Sequence, residues 1–316
     1  MSLIRARELV KRFGAQTAVD HVSLEVARGE VVGFLGPNGA GKSTTMRMIT
    51  GFMEPDGGSS EICGHDVGTA PLAAKRKLGY LPEGAPAYAD MSVADFLTFV
   101  GKIRGLSGQH LDDRLAIMAD RINIAEVWNK PIEALSKGFK RRVGIAQALI
   151  HDPDVLILDE PTDGLDPNQK HEMRALIQEI APNKAIVIST HILEEVEAVC
   201  SRAVIIAAGK VVADATPEAL VARAGRQNRI RLTVSAHQPQ QVIERLRPIT
   251  ADSRIEVIEQ FNGATKLLID IGEADGEPGT FAEAVRQSGL EVEDIGPWRP
   301  RLEDVFREIT STQRPS

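Results

Sequence analysis

The chain has 316 residues, 43% of them hydrophobic and 26% charged, with a formal net charge of −7. This length admits one large core or two domains, in the composition range of ordinary globular proteins. The acidic balance argues against a general nucleic-acid binder, which would show a basic face. Only two cysteines occur, Cys63 and Cys200, without a C-x-x-C pair or a His/Cys cluster, which argues against a disulfide framework or structural zinc and favours a reducing compartment.

In chain order, residues 3–35 alternate apolar and polar in short runs (Leu3–Val10, Ala18–Val26, Val31–Leu35) and read as a small antiparallel β region. The last run feeds Gly36-Pro37-Asn38-Gly39-Ala40-Gly41-Lys42-Ser43-Thr44, which fits G-x-x-x-x-G-K-[ST], and residues 43–49 then read as a helix. Residues 60–82 are expected to form further short strands. From Ser92 to Ala134 the period turns helical, with Phe96, Leu97, Phe99, Val100 and Ile103 on one face and Leu111, Leu115, Ile117, Met118 and Ile122 on another.

Short apolar strands at 155–158, 185–188 and 204–206 then alternate with helices at 142–150, 168–180 and 193–200. Fully apolar strands between helices predict a parallel sheet covered on both faces, so the fold class is α/β. The polar run 222–228 reads as a linker. Beyond it the expected order is strand 230–234, helix 238–246, strand 255–259, strand 266–271, helix 281–288, strand 292–295 and helix 301–309. That β-α-β-β-α-β order suggests a small ferredoxin-like α+β module. The domains are therefore placed at 1–222, with a helical part at about 84–135, a linker at 223–228, and a C-terminal accessory domain at 229–316. No run approaches the ~20 apolar residues of a spanning helix, and residues 1–7 lack the apolar core of a signal peptide. Work at a membrane would require another chain to cross it.

The glycines of the 36–44 segment let consecutive N–H groups point into one hollow suited to a chain of phosphate oxygens. The following helix N-terminus adds its positive end, Lys42 can reach the β- and γ-phosphates, and the Ser43 hydroxyl can ligate Mg²⁺. The segment therefore predicts binding of a nucleoside triphosphate. The apolar strand 155–158 ends in Asp159-Glu160, which puts two carboxylates at the sheet edge beside that loop. There Asp159 can hold Mg²⁺ through water, and Glu160 can take a proton from an attacking water. Thr190-His191 follows strand 185–188 at the same edge, where an imidazole can bond a γ-phosphate. Ser136 reads as a helix N-cap, and Gly138 permits close backbone approach; by itself this segment is equally an ordinary capped helix with a basic turn.

The order is phosphate loop, helical insert, Leu135-Ser136-Lys137-Gly138, a 23-residue step from Ser136 to Asp159, then His191. It resembles the ATP-binding-cassette (ABC) family over residues 3 to about 220. The resemblance implies a P-loop nucleotide-binding domain and assigns roles by position. Phe13 would stack on adenine, Gly36–Thr44 is the Walker A loop, and Asp159 and Glu160 close Walker B with the catalytic glutamate. His191 would be the switch histidine, Asp166 would contact the opposing Walker A, and Ser136 and Gly138 would meet the partner subunit's γ-phosphate. Two motifs depart from the family pattern. Lys137 and Phe139 replace residues of the usual Leu-Ser-Gly-Gly-Gln signature, and Glu83 stands where a Mg²⁺-binding glutamine is usual; Glu83 is either a ligand or only a loop acid.

Tyr80-Leu81-Pro82-Glu83, Leu135–Gly138, Pro161–Gln169 and the tail Leu302-Glu303-Asp304-Val305-Phe306 resemble the bacterial ATPases of ABC-2-type exporters, notably gliding-motility-associated and multidrug-type subunits. That branch implies an ATP- and Mg²⁺-dependent ATPase working as a head-to-tail homodimer. It would dock through the helical insert onto a separate ABC-2-type permease at the cytoplasmic face of the bacterial inner membrane. The competing readings are a soluble ABC switch that acts on a non-transport partner and, less favoured, a P-loop kinase.

Overall fold

The computed structural model describes residues 2–85, 87–224, 229–235, 238–250, 255–261, 263–271, 278–298 and 301–311. The chain forms two compact units, residues 1–217 together with 306–316, and residues 218–305. In the first, β1 (Ser2–Phe13) and β2 (Gln16–Ala27) form a hairpin that β4 (Gly57–Ile62) and β5 (His65–Asp66) extend into an antiparallel sheet of order β2-β1-β4-β5. The second sheet has the order β10-β9-β3-β8-β7-β6. It comprises β3 (Val31–Leu35), β6 (Leu78–Leu81), β7 (Val155–Asp159), β8 (Ala185–Thr190), β9 (Arg202–Ala207) and β10 (Lys210–Ala215). Five strands run parallel, and β10 closes one edge antiparallel to β9.

Successive residues of the parallel strands face opposite layers, as the two-residue strand period requires. Val32, Phe34, Ile157, Val187 and Ile206 pack with Met46, Met48 and Ile49 of α1 (Lys42–Ile49) and with the antiparallel sheet. Val31, Leu156, Leu158, Ile186 and Ile188 pack toward α5 (Lys137–Leu149) and α6 (Pro167–Ile180), and with Phe96 and Leu97 of the helical insert. The α/β class expected from unbroken apolar strands is thus the observed one, because each strand needs apolar atoms on both faces.

Several local readings change. Within 60–82 the chain also forms the short helix α2 (Pro71–Arg76), started by Pro71, whose fixed φ and missing N–H suit a first helical turn. In α3 (Val93–Ile103) the buried residues are Val93, Phe96, Leu97 and Gly101, while Phe99 and Ile103 are 40% and 66% exposed. In α4 (Gly108–Arg121) Leu111 and Met118 are buried and Ile117 is 42% exposed. Apolar content alone therefore misplaced part of each face. Helix α5 begins at Lys137, five residues before 142, because Ser136 caps it. Strand β10 was not anticipated. The segment expected as a linker at 223–228 is met by α8 (Pro217–Ala224), and 225–228 lie outside the described residues.

The second unit contains β11 (Arg229–Ser235), α9 (Pro239–Leu246), β12 (Ile255–Phe261), β13 (Ala264–Asp270), α10 (Pro278–Gln287) and β14 (Val292–Pro297). The last helix, α11 (Leu302–Ser311), begins in this unit and ends in the first. The sheet order β12-β13-β11-β14, all antiparallel, is the ferredoxin-like arrangement expected from the element order. Its core joins Ile230, Leu232, Val234, Leu267 and Ile269 to Val242, Leu246, Phe281 and Val285 of α9 and α10.

His151, just after α5, lies with Nε2 at 3.1 Å from the Leu78 carbonyl and with Nδ1 buried and unpartnered. Burial, reinforced by the Arg104 guanidinium, pushes this imidazole down from 6.5 to about 4. The unfolded chain therefore takes up the proton first as the pH falls below 6.5, and native stability declines from there toward pH 4. In His151→Gln, which keeps a donor for Leu78, the stability lost between pH 7.5 and 5 should shrink by on the order of 1–2 kcal/mol. Urea midpoints at the two pH values measure it, and equal losses in both proteins would refute a buried neutral imidazole.

Candidate active site

The loop between β3 and α1 is shaped by close backbone approach. A Cβ on Gly36 would stand 2.5 Å from the Ile206 carbonyl, and one on Gly41 would stand 2.5 Å from the Ala18 carbonyl. Gly41 also caps α1 in the left-handed region at φ +105°. Pro37, Asn38 and Gly39 are exposed at the rim, whereas Gly36, Ala40 and Gly41 are buried. Lys42 is 7% exposed and folds back to donate from Nζ to the Gly36 carbonyl at 2.7 Å and to Pro37 at 3.3 Å. Burial pulls its ammonium down, opposed by the carboxylates of Glu160, Asp159 and Glu83. Ser43 and Thr44 are half-buried in the first turn of α1, and Thr45 donates to the Gly41 carbonyl at 2.8 Å.

The carboxyl ends of β7 and β8 bring the acids to this loop. Asp159 is 1% exposed; its Oδ1 accepts from Ser189 Oγ and from Ser43 Oγ at 3.4 Å, and its Oδ2 has no protein partner. A buried unsatisfied carboxylate oxygen beside a hydroxyl suits a hard cation or its water. Among the described residues no group of three or more His, Cys, Asp and Glu assembles to hold a metal. Glu160 sits at φ +50°, with its N–H donating to the Ser189 carbonyl at 3.0 Å. Its Oε2 lies 2.9 Å from Nδ1 of His191. Burial raises the Glu160 carboxyl above its ordinary value, against the lowering effect of His191 and Lys42.

The other expected site residues are placed as follows. Phe13 ends β1 at the hairpin, half exposed. Glu83 is exposed in the turn after β6, without a recorded direct partner but within the field felt by Lys42. Ser136 Oγ accepts from Phe139 N at 3.4 Å as the cap of α5, and Gly138 backs onto Gln169, whose Oε1 would be 2.4 Å from an added Cβ. Asp166 caps α6, accepting from Gln169 N at 2.9 Å. The structure thus groups the loop, Asp159, Glu160 and His191, while Ser136, Gly138 and Asp166 have helix-capping and helix-packing partners.

Three contributors escaped sequence reasoning. Ser189 bonds both Asp159 and Glu160. Arg141 is 5% exposed, with one guanidinium nitrogen unpartnered and another 3.9 Å from Asp163. Burial lowers its pKa, while Asp163, Glu160, Asp159 and Glu83 hold it up. Glu195 is buried between two threonine hydroxyls. A polar residue at an apolar strand's end flagged Ser189 weakly; nothing in the local sequence marked the other two.

The family model described as "ABC transporter" matches residues 19–163. The linearmycin resistance ATP-binding protein LnrL of Bacillus subtilis is 33% identical over 316 residues, covering 98% of each chain. The chain is a member of the ABC-transporter ATP-binding proteins. The cassette is also similar to Nod factor export ATP-binding protein I of Ralstonia nicotianae, 36% identical over 69% of this chain and 68% of that one. A solved structure titled as an ATP-binding subunit of an ABC transporter superposes with a TM-score of 0.66 and 32% identity, covering 71% of this chain and 93% of that chain. The cassette is accordingly an ATP-binding P-loop ATPase, and among the described residues no helix is long and apolar enough to cross a membrane.

Gly41→Ala places a methyl against the Ala18 carbonyl at a φ that L-residues rarely adopt. ATP affinity of the cassette, measured by fluorescent-nucleotide displacement, should fall about tenfold or more. Unchanged affinity would show that the loop tolerates displacement.

Proposed function

We propose that the cassette energises a membrane exporter of the ABC-2 type by closing two copies head-to-tail around two ATP molecules. The observation that carries this reading is that no hydrogen bond joins Ser136 or Gly138 to the phosphate loop among the described residues. One chain gathers the phosphate loop with Asp159, Glu160 and His191, while Ser136 and Gly138 stand at the start of α5 with partners of their own. A second copy would supply that signature, and Asp166, to the first copy's nucleotide. Phe13 offers a stacking face to adenine, and the N–H groups of residues 36–44 offer donors to the phosphates.

In this reading Lys42 leaves the Gly36 and Pro37 carbonyls to bond the β- and γ-phosphates. Its three donors are repaid by phosphate oxygens in place of neutral carbonyls. Glu160 accepts a proton from the attacking water at its carboxylate, and a raised carboxyl pKa makes it a better base than a solvated glutamate. His191 moves its ring from Glu160 to the γ-phosphate and holds the developing charge. Mg²⁺, held by Ser43, by Asp159 and, in this reading, by Glu83, would neutralise the β- and γ-phosphate oxygens when bound. The export named for the Ralstonia relative supports the exporter reading, and the permease would dock on the helical part at 84–135 from the cytoplasmic side of the inner membrane.

Glu160→Gln should bind ATP-Mg²⁺ and sediment as a stable dimer, since closure proceeds and hydrolysis does not. A mutant that stays monomeric when saturated with ATP would overturn the shared site. Isolated from native membranes in that trapped state, it should bring down a multi-span membrane protein in about equal amount, as two cassettes would with two permease chains. Lys42→Ala removes a charge-assisted contact and should cost about tenfold or more in ATP affinity. Undiminished affinity would refute the loop's assignment.

A further inference from the structure

Glu195 lies in the first turn of α7 (Leu193–Val199) and is 3% exposed. One carboxylate oxygen accepts the Thr162 hydroxyl and the other accepts Thr190 Oγ1 at 3.0 Å. Thr190 Oγ1 in turn accepts from Ile192 N at 3.0 Å. Both threonines are buried, at 3% and 0% exposure. Thr162 stands two residues after Glu160, and Thr190 immediately precedes His191. A single side chain therefore ties together the turn that follows β7 and the turn that follows β8.

Burying a carboxylate costs several kcal/mol unless its oxygens are hydrogen-bonded. An apolar residue would fill the same space without that cost, so the group is best understood through what its two hydrogen bonds hold. They hold the backbone on either side of the Glu160–His191 contact. His191 itself is 53% exposed at its side chain and has little packing to fix its position. We propose that Glu195 is a positioning residue that keeps Glu160 and His191 in register through the hydrolytic cycle, acting on His191 through Thr190 and on Glu160 through Thr162. This inference rests on the roles given to Glu160 and His191 above.

The distinction between positioning and bulk stability is read from kinetics. Glu195→Gln, Thr190→Val and Thr162→Val are compared in the full chain with Glu160→Gln and His191→Ala as references. ATP dissociation constants and melting temperatures are recorded beside kcat and KM. Glu195→Gln retains a carbonyl acceptor for one hydroxyl and tests the brace without emptying the site. It should lower kcat about 10- to 100-fold, the scale of a reacting group displaced by about 1 Å, with KM and ATP affinity within about twofold. Thr190→Val should do the same, and Thr190→Ser, which keeps the hydroxyl, should restore kcat. Because Glu195 acts partly through His191, Glu195→Gln added to His191→Ala should cost less than the product of the two single losses.

Wild-type kcat in Glu195→Gln and Thr190→Val, with turnover lost in the two reference variants, would overturn the brace and leave the catalytic roles standing. Fully multiplicative losses in the double variant, or a kcat that falls only together with ATP affinity and melting temperature, would reduce Glu195 to a packing residue and also overturn it. Undiminished turnover in Glu160→Gln and His191→Ala would instead remove the roles on which the inference rests.

Discussion

Burial of a parallel sheet on both faces governs the rest of the cassette. Strands β9, β3, β8, β7 and β6 have apolar residues above and below, so polar chemistry within them is confined to their ends. Parallel direction then brings the useful ends to one edge. The phosphate loop follows β3, Asp159 closes β7, and Thr190 closes β8. The register pairs Asp159 with Ser189 and Leu35 with Thr190. Residues more than a hundred positions apart in the chain become neighbours by strand pairing alone.

Most of the polar groups at that edge bond one another. Lys42 donates to loop carbonyls, Ser189 and Ser43 donate to Asp159, and His191 meets Glu160. Glu83 adds a negative charge in the turn after β6. Arg141, held on α5 with an unpartnered guanidinium nitrogen, feels the fields of Glu83, Asp159 and Glu160 as well as that of Asp163. A cation that cannot lose its proton is an effective counterweight to buried Asp159, half-buried Glu160 and exposed Glu83 and Asp163. Phosphates in place of these internal partners would make stronger charge-assisted bonds, and Asp159 Oδ2 and one Arg141 nitrogen have no protein partner to exchange.

What the sequence made legible is what depends on local pattern. The glycine-and-lysine loop needs a strand before it and a helix after it, and both are visible as runs. Asp159-Glu160 and His191 follow apolar strands, and strand ends are chemically marked. The ferredoxin-like order of the C-terminal unit was readable for the same reason. The losses are non-local. Phe99, Ile103 and Ile117 are apolar yet exposed, so a shared helical face does not say which of its residues are buried. The threonines that meet Glu195 come from the turn after β7 and the end of β8, and the one mark of the contact, a glutamate on α7, is indistinguishable in sequence from the neighbouring Glu194. Helix α2 is too short to set up a period.

The central place of β3 has a consequence for synthesis. Strands β1, β2 and β4 meet within the first 62 residues, so the antiparallel sheet can assemble early. By contrast β3 pairs with β8 and β9, and Val31 bonds Ser201 across a separation of 170 residues. At about 5–20 residues per second on the ribosome, the five buried residues of Val31–Leu35 wait roughly ten seconds or more for their partners. During that interval the phosphate loop hangs from an unpaired apolar strand. The nascent cassette is therefore most exposed to aggregation, and most in need of a chaperone, at the segment that later cradles its nucleotide.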